Sequence, residues 1–192
     1  MSAPVLALRD YDGLSIPAPG TFAIDPAHTE VAAVVRHLVV SKVRGSFAGT
    51  TGTITIAENP LESTVTASIP AETINTGVAD RDNHLRSPDF LDAEKYPTLD
   101  FRSTGVVKHG GADFVVRGVL TIRGVSREVD LKVEFDGVAR SPWGQEVIAF
   151  TATTEFDRED FGMTWNQALE TGGVLVGKKI TVAISAEAVR KA

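Results

Sequence analysis

The segment that most resembles a catalytic motif is rich in glycine and lysine, and it runs from Gly172 to Lys179 as Gly-Gly-Val-Leu-Val-Gly-Lys-Lys. This spacing approaches a P-loop, whose backbone amides hold phosphates and whose final Ser or Thr binds magnesium. Lys179 stands in the place of that hydroxyl residue, and a strand pattern follows where a P-loop needs a helix N-terminus. The segment is therefore predicted to be a glycine-rich turn before the last strand.

Two other patterns imitate metal sites. Asp80, Asp82 and His84 alternate like the start of a calcium loop, but no Gly follows at the sixth position and no Glu at the twelfth. The tripeptide at 160–162, Asp-Phe-Gly, matches a protein-kinase metal motif whose companion motifs are missing from this chain. The sequence therefore predicts no metal site and no catalytic residue.

The histidines give no hydrolase signature. The chain has His28, His37, His84 and His109, none in a His-x-x-x-His arrangement, and it contains no cysteine. His37 continues the inward parity of the residues before it, so it is expected to point into the protein interior. Two interpretations stay open for it, a hydrogen-bonded structural histidine and a ligand contact.

Composition excludes several classes of protein. The 192 residues are 43% hydrophobic and carry a net charge of −6, which argues against a nucleic-acid partner. No apolar run approaches the roughly 20 residues that cross a bilayer, so we expect a soluble protein without stable membrane insertion. The first residues lack the pattern of a secretory signal, which predicts a cytoplasmic location, or an exported one if a leader has been removed.

Alternating apolar and polar residues predict strands through most of the chain. The pattern is clearest in a hairpin formed by Phe114 to Ile122 and Val129 to Phe135. In each segment an apolar residue recurs at every second position, so these residues share one face. Further strands are predicted at Thr21 to Asp25, Val31 to Val39, Phe47 to Ala57, Thr64 to Pro70, Thr98 to Val107, Val147 to Phe156 and Ile180 to Ala186.

About eight or nine strands at regular spacing indicate an all-β barrel or sandwich. A short helical crossover is expected at Ala79 to Tyr96, with its helix at Val78 to Leu85. Residues 1–20, which contain several prolines, are predicted to be an irregular N-terminal arm, and residues 21–192 the barrel. Alternation alone leaves open whether the interior is filled by side chains or holds a ligand.

Several ordered motifs give a more specific indication. They include Ile24-Asp25-Pro26-Ala27-His28-Thr29, His37 to Phe47, Ile74-Asn75-Thr76-Gly77, Arg81 to Asp92, Gly118 to Val125 and Arg158-Glu159-Asp160-Phe161-Gly162. From about Thr21 to Val189 the chain resembles the YceI-like family, also called the polyisoprenoid-binding, lipocalin-like family. The resemblance implies an extended antiparallel lipocalin-like β-barrel of about eight strands, with a lipid chain threaded through its lumen.

The resemblance and the strand parity together suggest which residues contact such a lipid. The expected ligand-binding residues are Val35, His37, Val39, Phe47, Leu85, Phe90, Phe101, Val116, Phe150, Phe156, Phe161 and Trp165. If the ligand has a pyrophosphate or quinone head, the candidate head-group residues are His28, Arg81, His84 and Arg86.

The sequence therefore predicts a binding protein and not an enzyme. It would bind, store or carry a long-chain isoprenoid or an isoprenoid-quinone-like lipid, with no other cofactor. One alternative is a hydrolase or isomerase that acts on such a lipid through His37 or His84 with Asp80 or Asp82. Another is a structural or stress-linked oligomer, and a homodimer formed through an exposed final strand stays open.

Overall fold

The computed structural model describes residues 6–170 and 172–191. These residues form twelve antiparallel strands, one α-helix and three short 3-10 turns. The strands are β1 (Leu8–Tyr11), β2 (Leu14–Pro17), β3 (Gly20–Ile24), β4 (Glu30–His37), β5 (Ser41–Phe47), β6 (Thr51–Ile56), β7 (Thr64–Pro70), β8 (Thr98–Gly110), β9 (Asp113–Ile122), β10 (Val125–Arg140), β11 (Glu146–Asp157) and β12 (Val176–Arg190), and the helix is α1 (Ala79–Arg86).

Eight of these strands form a closed barrel. Their order is β11, β10, β9, β8, β7, β6, β3 and β12, and the ring closes because β12 pairs with β11 from Val147 to Asp157. The opposite edge of β12 pairs first with β4 and then with β3. The predicted all-β barrel with a short helical crossover is confirmed. The final strand is paired along both edges, so the expected exposed final strand is wrong, and the homodimer stays a prediction from the sequence.

The best-predicted part is the β9–β10 hairpin. Ile122 pairs with Val125 across a two-residue turn, in which Arg123 and Gly124 both have positive φ, at 52° and 72°. Such a turn matches the twist of the strands and favours glycine. A Cβ at Gly124 would also lie 2.9 Å from the ring of Tyr96, so glycine is required there for a second reason.

The N-terminal segment is not an irregular arm. β1 and β2 form a hairpin around Asp12 and Gly13, both at positive φ, and Gly20 already begins β3. Asp-Gly is a strong hairpin signal, but the prediction of an irregular arm was based on the prolines. Ile16 and Pro17 are buried, so this hairpin covers one end of the barrel. The part of the predicted arm at 1–5 lies outside the described residues.

The predicted strand from Phe47 to Ala57 is wrong, because two strands meet there. Phe47 ends β5, and β6 begins at Thr51 after a break in which Gly49 has a φ of +71°. The hydroxyl of Thr73 holds this break by bonding to both the amide and the carbonyl of Ala48, each at 3.1 Å. The sequence did not predict most of β5, since Ser41 to Ser46 is largely polar.

The helical segment between β7 and β8 covers the opposite end of the barrel. Its backbone joins the sheet where Asn75 and Ser46 exchange two hydrogen bonds of 2.9 Å. The guanidinium of Arg86 donates to the carbonyls of Glu72 and Ile74, at 2.7 and 2.8 Å. Within the part of the chain that the structure describes, no helix has the length and apolar character to cross a bilayer.

Asp82 fixes the start of α1 to the segment before it. Its buried carboxylate accepts hydrogen bonds from the amide and the hydroxyl of Thr76, at 2.8 and 2.6 Å. The bonds from Thr76 lower the pKa of Asp82 below its ordinary value, although desolvation opposes them, and the charges of Arg86 and Arg81 act in the same direction as the bonds. The ionised form of Asp82 therefore stabilises the fold.

We expect Asp82→Asn to destabilise the protein at neutral pH and to lose this effect in acid. A depressed folded-state pKa contributes stability above the unfolded-state value, and that contribution disappears as the pH falls through the folded-state value. Urea unfolding of both proteins between about pH 6 and pH 2 measures the difference. Asp80→Asn, on the exposed face of the same helix, is the control. A difference between wild type and Asp82→Asn that is independent of pH would contradict this role.

Candidate functional site

The interior of the barrel is hollow and divided. It contains two cavities of about 240 Å³ each. We call the one beside the β1–β2 hairpin the hairpin-end cavity and the one beside α1 the helix-end cavity. Leu99, Ile122 and Phe156 line both cavities, so they form the partition between them.

The hairpin-end cavity is apolar. Its walls are aliphatic and aromatic side chains that the strand alternation turns inward, and no residue that lines it in the described structure is ionisable. The polar groups there are hydroxyls, from Thr29, Thr50, Ser63, Thr64 and Thr154. This end of the lumen suits a hydrocarbon chain.

The helix-end cavity combines apolar walls with basic side chains. Arg36, Arg81, Arg158, His37 and His84 line it, and among the described residues no carboxylate does. Arg81 is held in place, because its Nε donates to the hydroxyl of Thr76 at 2.7 Å and its Nη2 to the Thr76 carbonyl at 3.0 Å. The two ends of the lumen therefore differ in electrostatic character.

Arg158 is the most deeply buried of these cations, at 1% exposure. It lies on a 3-10 turn (Arg158–Phe161), and its guanidinium donates to the carbonyls of Met163, Val176 and Gly177. Desolvation lowers the pKa of Arg158, although the carboxylates of Glu159 and Asp157 oppose this shift. Its hydrogen bonds hold the start of β12 against the 3-10 turn, and they place a positive charge in the cavity wall.

An aromatic cluster forms another part of this wall. The His84 ring contacts Phe90 and Trp165 edge-on, with centroids 5.0 and 4.5 Å apart. The Nε2 atom of His84 lies 2.9 Å from a carboxylate oxygen of Asp89, so that carboxylate orients the imidazole. The cluster presents a rigid, largely apolar surface with one polar edge.

Most of the predicted contact residues line one of the two cavities. Val35, His37, Phe47, Leu85, Phe90 and Trp165 line the helix-end cavity, Phe101, Val116 and Phe150 line the hairpin-end cavity, and Phe156 lines both. Of the head-group candidates, Arg81 and His84 line the helix-end cavity.

Two of the predicted lumen residues lie elsewhere. Val39 is 57% exposed, because β4 ends at His37 and the inward parity ends with it. Phe161 is buried behind the wall, where its ring packs against Phe156 with centroids 5.1 Å apart. Parity could not place Phe161, since it belongs to the 3-10 turn.

Two of the head-group candidates, His28 and Arg86, line neither cavity. His28 is exposed in the turn between β3 and β4, where its Nδ1 lies 2.8 Å from the Asp25 carboxylate, which raises the pKa of His28. Arg86 does not line either cavity, because its guanidinium bonds to backbone carbonyls. Sequence reasoning missed Arg158 and Arg36. Arg158 belongs to the motif Arg158-Glu159-Asp160-Phe161-Gly162, which carries the family resemblance. Arg36 has outward parity, and this parity argued against a place in the cavity wall.

Comparison with known proteins agrees with this architecture. Residues 22–188 match the model of the YceI-like domain. The chain belongs to the YceI-like family. A UPF0312 protein of Staphylococcus aureus strain N315 is 38% identical over 168 residues, which cover 86% of this chain and 95% of the relative.

Solved structures show the same fold. The YceI protein of Campylobacter jejuni is 31% identical, with a TM-score of 0.69 over 82% of this chain and 90% of its own. BcnA of Burkholderia cenocepacia has a TM-score of 0.73 at 20% identity, covering 85% of this chain and 98% of its own. A polyisoprenoid-binding domain from Saccharophagus degradans has a TM-score of 0.68 at 13% identity, covering 88% and 98%.

Thr50 lines the hairpin-end cavity, and its substitution tests whether a hydroxyl in this wall lacks a hydrogen-bond partner. Its side chain is 2% exposed, and its hydroxyl has no hydrogen-bond partner among the described residues. We expect Thr50→Val to raise the free energy of unfolding of the ligand-free protein by about 1 kcal/mol, because an unpaired buried hydroxyl is removed. Chemical denaturation measures the change.

Thr29→Val is the matched control for this substitution. The Thr29 hydroxyl, in the same cavity wall, donates to the carbonyl of Glu187 and accepts from its amide, at 3.4 and 3.3 Å. We expect its removal to lower the free energy of unfolding by about 1 kcal/mol. Equal destabilisation by both substitutions would mean that the Thr50 hydroxyl is bonded in solution.

Proposed function

We propose that this protein binds one long amphiphile of the isoprenoid class, with its tail in the hairpin-end cavity and its head in the helix-end cavity. The observation that carries the proposal is the difference between the two cavities. The first has no ionisable lining residue among those described, and the second has five basic ones without a carboxylate. Family membership and the fold shared with a polyisoprenoid-binding domain support it.

The size of the cavities favours a ligand that occupies both. Each is about 240 Å³, below the range of roughly 300–1,000 Å³ that is usual for small-molecule sites. One chain that passes the partition would use the two volumes together. Each methylene taken from water contributes about 0.8 kcal/mol, so a prenyl tail supplies affinity without directional contacts.

The helix-end cavity favours a head group that accepts hydrogen bonds. Arginine side chains are donors without acceptor capacity, and a protonated histidine is the same. A phosphate or pyrophosphate would gain charge-assisted bonds from Arg81 and from the imidazoles of His37 and His84, and a quinone would accept through its carbonyls. We therefore place an acceptor-rich head beside these three residues.

Binding, with storage or carriage of the lipid, is the proposed role, without turnover. The alternative hydrolase or isomerase would need His37 or His84 to act with Asp80 or Asp82. The Asp82 carboxylate is bonded to Thr76, and the carboxylate beside His84 belongs to Asp89. The cytoplasmic location and the lack of a nucleic-acid partner stay predictions from the sequence.

A chain-length series tests the proposal. Mass spectrometry of an organic extract identifies any co-purified lipid, and titration of the delipidated protein with prenols of increasing length gives affinities. We expect affinity to rise with length until both cavities are filled. Ile122→Phe, which enlarges the partition, should end the rise at shorter chains. Val119→Phe, on the outer face of the same strand, is the control.

The outcome of the series is decisive for the proposal. Equal affinity for all chain lengths, or an unchanged length profile in Ile122→Phe with its melting temperature preserved, would contradict a single chain that spans both cavities. A protein that binds none of the prenols would contradict the isoprenoid class.

The orientation of the ligand is tested with Arg81→Gln. We expect about a tenfold loss of affinity for a prenyl phosphate, since a hydrogen bond to a charged group contributes about 1.5 kcal/mol or more. Affinity for the prenol of the same length should change little. Arg117→Gln, at an exposed position on the outer face of β9, is the control. An equal loss for both ligands would mean that Arg81 only stabilises the wall.

A further inference from the structure

The turn between β4 and β5 carries three exposed aliphatic side chains. It is formed by Leu38, Val39 and Val40, and Val40 is 84% exposed. The turn is at the helix-end cavity, since His37 at its base lines that cavity and the amide of Leu38 donates to Leu175, another lining residue, at 2.9 Å. The most exposed large aliphatic residue of the described chain therefore lies beside the helix-end cavity.

The backbone of this turn is unfavourable for its residues. Leu38 and Val39 have φ values of 51° and 66°, in the left-handed region that suits Gly, Asn or Asp. A β-branched residue such as Val is strained there, and such strain concentrates at functional sites. Asn or Gly would make a more stable turn, so stability of the hairpin does not explain these side chains.

Other exposed apolar residues lie at the same end of the barrel. The loop before β12 approaches the turn, because an added Cβ at Gly173 would lie 3.2 Å from a methyl group of Val39. Val174 in this loop is exposed, and so is Val78 at the start of α1. We call Leu38, Val39, Val40, Val78 and Val174 the apolar rim.

Basic side chains lie directly behind the turn. Arg36 and Lys42 are cross-strand partners in the β4–β5 hairpin, and like charges in such pairs are destabilising. Within the described residues, neither lies within 4 Å of a carboxylate. This pair is positive, although the whole chain has a net charge of −6.

Three further cations near this end are each paired with a carboxylate. Arg44 pairs with Glu30, Lys178 with Glu159 and Lys179 with Glu155, at 2.9, 2.8 and 3.4 Å. The exposed carboxylates of Glu170 and Asp80 lie on the neighbouring loop and helix. In the β4–β5 hairpin, Arg36 and Lys42 are therefore the exposed cations that have no carboxylate partner among the described residues.

We infer that the apolar rim docks on the surface of an anionic phospholipid bilayer. Leu38, Val39 and Val40 would enter the boundary between head groups and acyl chains, while Arg36 and Lys42 contact lipid phosphates. A second copy of the chain fits this surface less well, because a symmetric contact would bring two Arg36–Lys42 pairs together. If the proposed lipid binding is correct, docking also turns the helix-end cavity toward the membrane.

Flotation of the full chain with phospholipid vesicles tests the inference. Vesicles of phosphatidylcholine with phosphatidylglycerol should bind the protein, and vesicles of phosphatidylcholine alone should bind it more weakly. The double substitution Val39→Asn with Val40→Ser should lower partitioning at least tenfold. Because Asn tolerates the left-handed conformation, the melting temperature should not fall. Trp143→Ser, which removes an 83% exposed side chain at the opposite end, should have no effect.

The contribution of charge is measured separately with Lys42→Gln. We expect about a fivefold loss of partitioning on the anionic vesicles, since one basic residue near such a surface contributes about that factor. Added salt should weaken wild-type binding in the same direction. Lys132→Gln, on the outer face of β10, is the control.

Three results would overturn the inference. They are wild-type protein that floats with neither vesicle, rim variants that partition like wild type, and a concentration-dependent dimer that the rim substitutions abolish. Prenol titration without vesicles keeps the two proposals apart. The rim variants should bind prenols like wild type, and Ile122→Phe should float like wild type.

Discussion

The pairing of β11 with β12 is the interaction on which the rest of the structure depends. It joins the last two strands of the chain, and the other edge of β12 binds β3 and β4 from the first quarter. Once this ring is closed, every second side chain of each strand is enclosed. The volume of the lumen then depends on the size of these side chains. Its two ends are covered by the β1–β2 hairpin and by the segment that contains α1.

The alternation of residues predicted the barrel well, because closed strands have one wet and one dry face. Val116, Phe150 and Phe156 line the lumen for this reason. The same rule failed where the backbone leaves the strand conformation, as at Val39 in a turn and Phe161 in a 3-10 turn. It also missed β5, whose polar residues are held by pairing with β4 and not by an apolar face.

The basic character of one cavity was only partly visible in the sequence. Arg81 and His84 were expected there, because the helical crossover was expected near a barrel end. Arg158 was not, since its burial depends on carbonyls at Met163, Val176 and Gly177, which only the folded chain brings together. The Arg158 guanidinium holds backbone segments together and also places a positive charge in the cavity wall. A change at this residue would therefore affect both the stability of this barrel end and the electrostatics of the lumen.

The partition formed by Leu99, Ile122 and Phe156 has a consequence for how this fold diverges. The ring is closed by backbone hydrogen bonds, which do not depend on the identity of those side chains. Descendants of such a chain can therefore exchange one partition residue and acquire a different internal length while inheriting the same barrel. The internal length of the lumen is then set by a few side chains, whereas the architecture is set by backbone pairing.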